Sequence, residues 1–339
     1  MFEILYYLNL NYKGKNFMNK KILGMGNAVL DIVSSVSDDF LASANLTKGA
    51  MTLVDQNVSD KILKEINPIK KDSGGSVANT MVGISLLGLN SFFCGKVRDD
   101  ELGDEFISDM EKTKTKFLCK QSTQGLPTAR CIVFVSPDGE RSMQTFLGAS
   151  TTLGKEDIKS DFFNDIDYLL IEGYLWSSES AREAIYKAIE IAKIKKIKIV
   201  FSLSDPNLVK MYRDDFLKLL KSEINILIGN EHEFKELLGN DNLLNFLKTQ
   251  TVEILLKTMG DKGVEVVDSH GSEIIPSFQV ESVLDTTGAG DMFAAGFLYK
   301  LLKGESPKKS ALFGCKVASL IIQQYGARLT EETLSNLAN

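Results

Sequence analysis

The chain has 339 residues, 44% of them hydrophobic and 25% charged, with a formal net charge of -6. This length suits one large α/β domain with a small appended lid as well as it suits two equal domains, and the composition is that of an ordinary soluble globule. The acidic balance argues against a nucleic-acid or anionic-membrane partner, so local positive potential must come from loops and helix ends.

Residues 1–8 lack a basic start and a small-residue cleavage site, and no apolar run reaches the roughly 18–20 residues of a membrane-crossing helix. The first strand-like run begins just after Met18-Asn19-Lys20-Lys21, so residues 1–17 read as an extension, disordered or from an upstream start, ahead of a domain at 18–339. Apolar runs rich in β-branched residues follow at 21–26, 91–95, 168–173, 198–203, 225–230 and 252–258, interleaved with helical patterns at 180–193 and 231–238. Alternation of this kind predicts a doubly wound, mostly parallel sheet with helices on both faces. Ligands of such sheets gather at the C-terminal strand ends, where Asn27, Asn230 and the residues after Lys257 fall.

Two stretches break the alternation. Residues 31–54 read as strand, helical turn and strand, and residues 128–147 as a hairpin turning at Ser136-Pro137-Asp138-Gly139. Together they predict a small separate β-sheet, either a lid that excludes water from a reaction or plain edge hairpins. The cysteines Cys94, Cys119, Cys131 and Cys315 form no C-x-x-C pair and lie in apolar surroundings, which predicts buried free thiols and a reducing cytoplasm. His232 and His270 are the only histidines, too few for a multi-histidine metal site.

The most informative stretch is Asp285-Thr286-Thr287-Gly288-Ala289-Gly290-Asp291, which runs into the apolar helical pattern starting at Met292. Glycines at a helix start allow close backbone approach, and the unpaired first-turn N–H groups favour an anion such as phosphate. Asp291 in that turn reads as a base beside the cradle or as a dipole-compensating residue. A second glycine turn, Gly74-Gly75-Ser76-Val77-Ala78-Asn79, also opens a helix, either as a close backbone approach or as a plain Gly-Gly turn capped by Ser76. Asn27 and Asp31 form an amide and carboxylate pair suited to two neighbouring hydroxyls, or a strand end and a turn. Asn230 followed by Glu233 is also a capping-box pattern, and residues 257–263 also read as a hairpin turn. Arg141 in the predicted hairpin reads either as an anion-binding fork or as a solvated arginine.

These motifs, in this order, resemble the two signatures of the ribokinase (PfkB) family of small-molecule kinases. The likeness extends from about Lys20 onward, and Gly26-Asn27-Ala28-Val29-Leu30-Asp31, Pro137-Asp138-Gly139-Glu140-Arg141 and Asn230-Glu231-His232-Glu233 are most similar to its adenosine kinase-like branch. The resemblance implies a ribokinase-like α/β fold and transfer of phosphoryl from Mg2+·ATP to a hydroxyl. It assigns Asp291 as the catalytic base and the amides of Gly288, Ala289 and Gly290 as the anion hole. Asn27, Asp31, Gly74, Gly75 and Asn79 would bind the acceptor. Asn230 with Lys257, Thr258, Gly260 and Gly263 would bind ATP, and Glu233 would organise Mg2+, usually through water. Some relatives use a monovalent cation, K+, near residues 285–287.

The acceptor expected first is adenosine; ribose, a ketose or a keto-sugar acid are the alternatives, the last needing a cation such as Arg141. Adenine would need an apolar or aromatic slot, for which Phe134, Phe146, Leu147 and Trp176 are the candidates. Neither glycine turn completes a dinucleotide-binding fingerprint, and no Walker motif occurs. A non-catalytic binding protein is the alternative from another class, and the retained Asp291 beside an intact glycine loop speaks against it. The chain is expected as a monomer or as a homodimer through the lid.

Overall fold

The computed structural model describes residues 20–44, 46–239 and 241–338, so the expected extension at 1–17 lies outside the described residues. Its strands are β1 (Lys21–Met25), β2 (Val29–Ser35), β3 (Met51–Leu53), β4 (Lys70–Gly74), β5 (Asn90–Cys94), β6 (Lys116–Phe117), β7 (Ala129–Val135), β8 (Arg141–Phe146), β9 (Tyr168–Glu172), β10 (Lys198–Ser202), β11 (Ile226–Asn230), β12 (Ile254–Thr258), β13 (Val264–Asp268) and β14 (Gly271–Ile275). Nine build one sheet in the order β14-β13-β12-β11-β10-β9-β1-β5-β6, and five build another in the order β3-β8-β7-β2-β4.

The apolar runs of the large sheet are nearly continuous because both faces are covered. Ile22, Leu170, Val200, Ile226 and Leu256 point to one face, where they meet helices Ser76–Leu86, Ala289–Leu302 and Pro307–Ile321. Leu23, Leu169, Phe201, Leu227 and Leu255 point to the other and meet helices Glu179–Ile194, Arg213–Leu220 and Glu231–Leu238. Each such side chain contributes roughly 1.5–3 kcal/mol on burial, so the two layers hold the strand ends in fixed register. Strands β6, β5, β1, β9, β10, β11 and β12 run parallel. Strands β13 and β14 then turn back antiparallel at the edge.

The small sheet draws strands from both stretches that the sequence singled out, and also from Lys70–Gly74, which the sequence had not offered as a strand. Pairing of β4 with β2 from Val29↔Gly74 to Val33↔Lys70 explains it. Backbone bonds to a neighbour hold a polar edge strand that has no apolar pattern of its own. In β7, Ile132 and Phe134 turn toward the main core, while Cys131, Val133 and Val135 turn toward a cavity. Both faces carry apolar residues, so the period-2 signal is blurred in the sequence.

All four cysteines are buried and free, as expected; Cys94 and Cys119 nevertheless meet, with their sulfurs 3.0 Å apart. No described helix is long and apolar enough to cross a membrane.

Candidate active site

Two helices that start on glycines face each other across one carboxylate. Gly75 (φ 97°) precedes helix Ser76–Leu86, and a Cβ there would collide with the Asn27 carbonyl. Gly288 (φ 77°) precedes helix Ala289–Leu302, and its Cβ would lie 2.6 Å from Ala327 O. Left-handed backbone at close quarters explains why glycine stands at both positions. Neither N-cap glycine can supply a side-chain cap. At the first start Val77 N is taken by the Glu172 carboxyl, and at the second Ala289 N donates to Thr286 O at 3.1 Å, which leaves the first-turn N–H groups from Gly290 onward facing the opening. At Gly290 a Cβ would meet nothing within 4 Å, so there is open space before the second helix start.

Asp291 occupies the junction. Ser76 Oγ donates to its Oδ1 at 2.6 Å and Asn79 Nδ2 to its Oδ2 at 3.1 Å, while Thr80 Oγ1 donates to its backbone carbonyl at 3.2 Å. Burial pushes the Asp291 carboxyl up to about 6, against the hydrogen bonds from Ser76 and Asn79 and the Arg328 charge. A carboxylate poised just below neutrality and still hydrogen-bonded can accept a proton from a hydroxyl.

Three contributors escaped the sequence reading. Glu172, at the end of β9, accepts from Asn27 Nδ2 at 3.1 Å and from Val77 N at 3.0 Å, tying the first-strand loop to the Gly75 helix; burial raises its carboxyl to about 7. An acid ending the apolar run Leu169-Leu170-Ile171 was the available signal, since buried acids are rare without partners. Ser76 had been considered as a cap, but its hydroxyl turns to Asp291 instead. Arg328 Nε donates to Asn79 Oδ1 at 2.8 Å, from a loop with no sequence signal.

A cavity lies on each side of this junction. One, of about 190 Å³, is lined by Ser202, Ser204, Asn230, Glu233, Thr258, Gly290 and Asp291 among others. The other, of about 300 Å³, lies under the small sheet and is lined by Asp31, Val33, Ile69, Val133, Met143, Arg141, Thr287 and Tyr325 among others. Asp31 stands beside Gly74, where a Cβ would come within 2.5 Å of its Oδ2. Burial raises its carboxyl to about 7, opposed by Arg328 and reinforced by Asp72.

Thus Asn27, Asp31, Gly74, Gly75, Asn79, Gly288, Ala289, Gly290 and Asp291 gather at one centre, and Asn230, Glu233 and Thr258 line the first cavity. Lys257, Gly260 and Gly263 stand apart from it: Lys257 pairs with Glu265 at 2.5 Å, and Met259 N donates to Gly263 O at 2.8 Å in the turn joining β12 to β13. The capping box is real as well. Asn230 Oδ1 accepts from Glu233 N at 2.9 Å, and Glu233 accepts from Asn230 N and Nδ2, each at 2.8 Å. Burial raises the Glu233 carboxyl to about 7 despite these bonds.

Two expectations change. Arg141 is not a solvated arginine; its Nη1 donates to Asp285 Oδ2 at 2.7 Å, with side-chain exposures of 13% and 8%. Burial pushes Asp285 up, but hydrogen bonds from Thr287 and Gly326 and the Arg141 charge outweigh it and hold the carboxyl below its usual value. The aromatic slot also moves. Trp176 and Phe134 are fully buried in the core and Phe146 packs under Arg130, because their parity on strand or helix directs them away from the cavities. Neither they nor Leu147 line either cavity, and the apolar lining comes from Val33, Val133, Val135 and Met143.

Known proteins share this fold. A probable sugar kinase protein from Rhizobium etli CFN 42 is 36% identical, with a TM-score of 0.84 over 94% of this chain and 98% of that one. The adenosine kinase from Sinorhizobium meliloti is 34% identical, with the same TM-score and coverage, 0.84 over 94% and 98%. The 5-dehydro-2-deoxygluconokinase of Bacillus subtilis (strain 168) is 25% identical over 284 residues, 78% of this chain and 85% of its own length. The ribokinase-like α/β fold expected from the sequence therefore stands. With residues 47–334 matching the model of the pfkB family carbohydrate kinases, the chain belongs to that family and is a sugar or nucleoside kinase.

Proposed function

We propose that the chain phosphorylates a primary hydroxyl of a nucleoside, adenosine first, using Mg2+·ATP, with Asp291 as general base. The observation that carries this reading is that Gly290 and Asp291 line one cavity while Thr287, at the other end of the same glycine loop, lines a second of different character. The cavity of about 190 Å³ is polar where Ser202, Ser204, Asn230 and Thr258 line it, and it ends on the uncapped N–H groups around Gly290, which suits a nucleotide's phosphates. The cavity of about 300 Å³ pairs Asp31 with an apolar wall of Val33, Ile69, Val133, Val135 and Met143. A carboxylate for ribose hydroxyls beside an apolar wall for a base suits a nucleoside.

Bound Mg2+·ATP would supply the phosphoryl group and offset its charge. Among the described residues no three acidic, histidine or cysteine side chains converge as a metal cage. The fit is to an ion held mostly by water and phosphate oxygens, with Glu233 the nearby carboxyl. Both Glu233 oxygens already serve Asn230, so any contact runs through water unless the box opens. The residues of the chain do the rest: Asp31 and Asn27 orient the acceptor, Asp291 takes its proton, and the amides of Gly288 to Gly290 meet the charge in transit. Accepting that proton is typically worth about 10²–10⁴-fold, and a single anion-hole donor about 10²–10³-fold. The small sheet covers the acceptor and excludes water. We assign no ligand role to Lys257, Gly260 or Gly263 beyond shaping the turn under the nucleotide, and no geometry here argues for K+.

A sugar acid is the second reading, favoured by the Bacillus subtilis relative. It would need a free cation, whereas Arg141 is paired with Asp285, and Lys70 with Asp72 at 2.7 Å. The deciding experiment is acceptor-dependent ADP release with Mg2+ against adenosine, inosine, ribose, fructose, 2-keto-3-deoxygluconate and 5-dehydro-2-deoxygluconate, with a no-acceptor control. Selective turnover of adenosine supports the proposal; preference for a sugar acid transfers the acceptor assignment to Arg141 and the lid. The absence of any acceptor-dependent turnover would return the chain to a binding role.

A further inference from the structure

Arg328 lies outside every motif that the family resemblance assigns, yet only one side chain separates it from Asp291. Its Nε donates to Asn79 Oδ1 at 2.8 Å, and Asn79 Nδ2 donates to Asp291 Oδ2 at 3.1 Å. The two bonds use opposite ends of one amide, so the guanidinium dictates which end faces the carboxylate. A flipped Asn79 would set its oxygen against the Asp291 oxygens and its NH2 against the Nε–H, two mismatches at once.

The guanidinium is itself held. Its Nη1 donates to Ser73 Oγ at 2.9 Å and to Asp109 Oδ2 at 3.0 Å, and Asp109 Oδ2 also accepts from Ser73 N at 2.9 Å and Ser73 Oγ at 2.6 Å. Asp109 belongs to helix Glu101–Lys112 and Ser73 to β4, so a rigid helix and a strand anchor the arginine. Its Nη2 is buried without a hydrogen-bond partner.

Resting on the assignment of Asp291 as the base, we propose that Arg328 is a positioning residue that locks the Asn79 amide with its nitrogen toward Asp291. The lock turns the carboxylate to one angle, with Ser76 on one oxygen and Asn79 on the other. Asp291 is faced by the Ser76 hydroxyl, the Asn79 amide and the Arg328 charge; the carboxyls of Glu172 and Asp31, on neighbouring strands, act on it with the opposite sign. Losing Arg328 removes a cation and frees the amide, and both changes favour the protonated acid.

The test is a double-mutant cycle with the best acceptor of the panel above. Arg328→Met should lower kcat by about 10–10²-fold, as misorientation at a reacting centre does, leave KM for ATP unchanged and move the acidic limb of the rate profile upward. In an Asn79→Ala background the same change should lower the plateau kcat no further, because the intermediary is gone, although loss of the cation still moves the acidic limb. Arg328→Lys, which keeps the charge but loses the Nε geometry, should restore the acidic limb while kcat stays low. The ¹³C titration of the Asp291 carboxyl in the ligand-free protein should move up in Arg328→Met, a readout independent of turnover. Should that variant fail to fold, Asp109→Asn loosens the far anchor alone and carries the same comparison with a smaller loss. A folded Arg328→Met with full kcat, or losses that multiply in the Asn79→Ala background, would overturn the inference. Asp291→Asn separates the two levels: full turnover there defeats the base assignment itself, whereas an inactive Asp291→Asn beside a fully active Arg328→Met defeats only the role of Arg328.

Discussion

Ser76 Oγ donates to Asp291 Oδ1 at 2.6 Å, joining the first turns of two glycine-led helices. The bond stabilises the ionised form of the acid and counters the burial that lifts its carboxyl to about 6. In the parent protein, kcat/KM should therefore fall as pH drops through about 6, where Asp291 takes up a proton. Ser76→Ala should move that limb to higher pH and lower kcat several-fold. An unmoved limb would mean that another group governs it.

Gly288 and Gly290 make a contrasting pair. Gly288→Ala forces a left-handed residue against Ala327 O, so it should lower Tm and abolish turnover together. Gly290→Ala meets nothing in the fold. It should leave Tm unchanged while raising KM for ATP and lowering kcat, because its methyl fills the space before the uncapped amides. Calorimetry alongside initial rates checks both, and unaltered kinetics in Gly290→Ala would disqualify that space as a ligand site.

Arg141→Met should act chiefly on stability. It strands the Asp285 carboxylate, which keeps its hydrogen bonds from Thr287 and Gly326 but loses its counter-charge, and breaking a buried pair of this kind costs about 3 kcal/mol. Denaturant midpoints report the loss. A change in acceptor preference without a loss of stability would instead make Arg141 a recognition group.

Stability and activity should respond to pH with opposite signs. Burial raises Glu172, Glu233 and Asp31 to about 7 and Asp291 to about 6. In each case the native state holds a proton that the unfolded chain has already released, so the stabilisation is complete below the ordinary carboxylate range. It is lost as pH climbs through each folded value. Unfolding midpoints in urea should thus decline from about pH 5 to about pH 7.5, across the interval in which kcat/KM rises. A midpoint that climbs over this interval would contradict the burial assigned to these acids.

The strands of the large sheet were legible because β1, β9, β10, β11 and β12 are short β-branched runs bounded by turns, and their two-sided burial makes the runs continuous. Strand β4 was not legible: Lys70-Lys71-Asp72-Ser73-Gly74 has no apolar period and exists through its pairing with β2. The glycine turns could be read because their chemistry is local. Arg328 and Glu172 could not, since their roles lie in bonds to Asn79 and Asn27 across 249 and 145 residues of chain. The apolar wall was misplaced for a related reason. Aromatic residues attract attention in a sequence, but strand parity decides which side chain meets a ligand, and it turned Phe134 inward and Val133 toward the cavity.

The Ser76–Asp291 bond spans 215 positions, and Ala327, further along the chain, backs Gly288. Long-separated pairings form late, because loop closure must be met before they contribute. On dilution from denaturant, the far-ultraviolet signal of helices and strands should recover before catalytic competence does. A chain partway through synthesis has either its first glycine helix without Asp291 or both helices without the backing loop. Phosphoryl chemistry is thereby withheld from an incomplete molecule by the order in which its parts emerge.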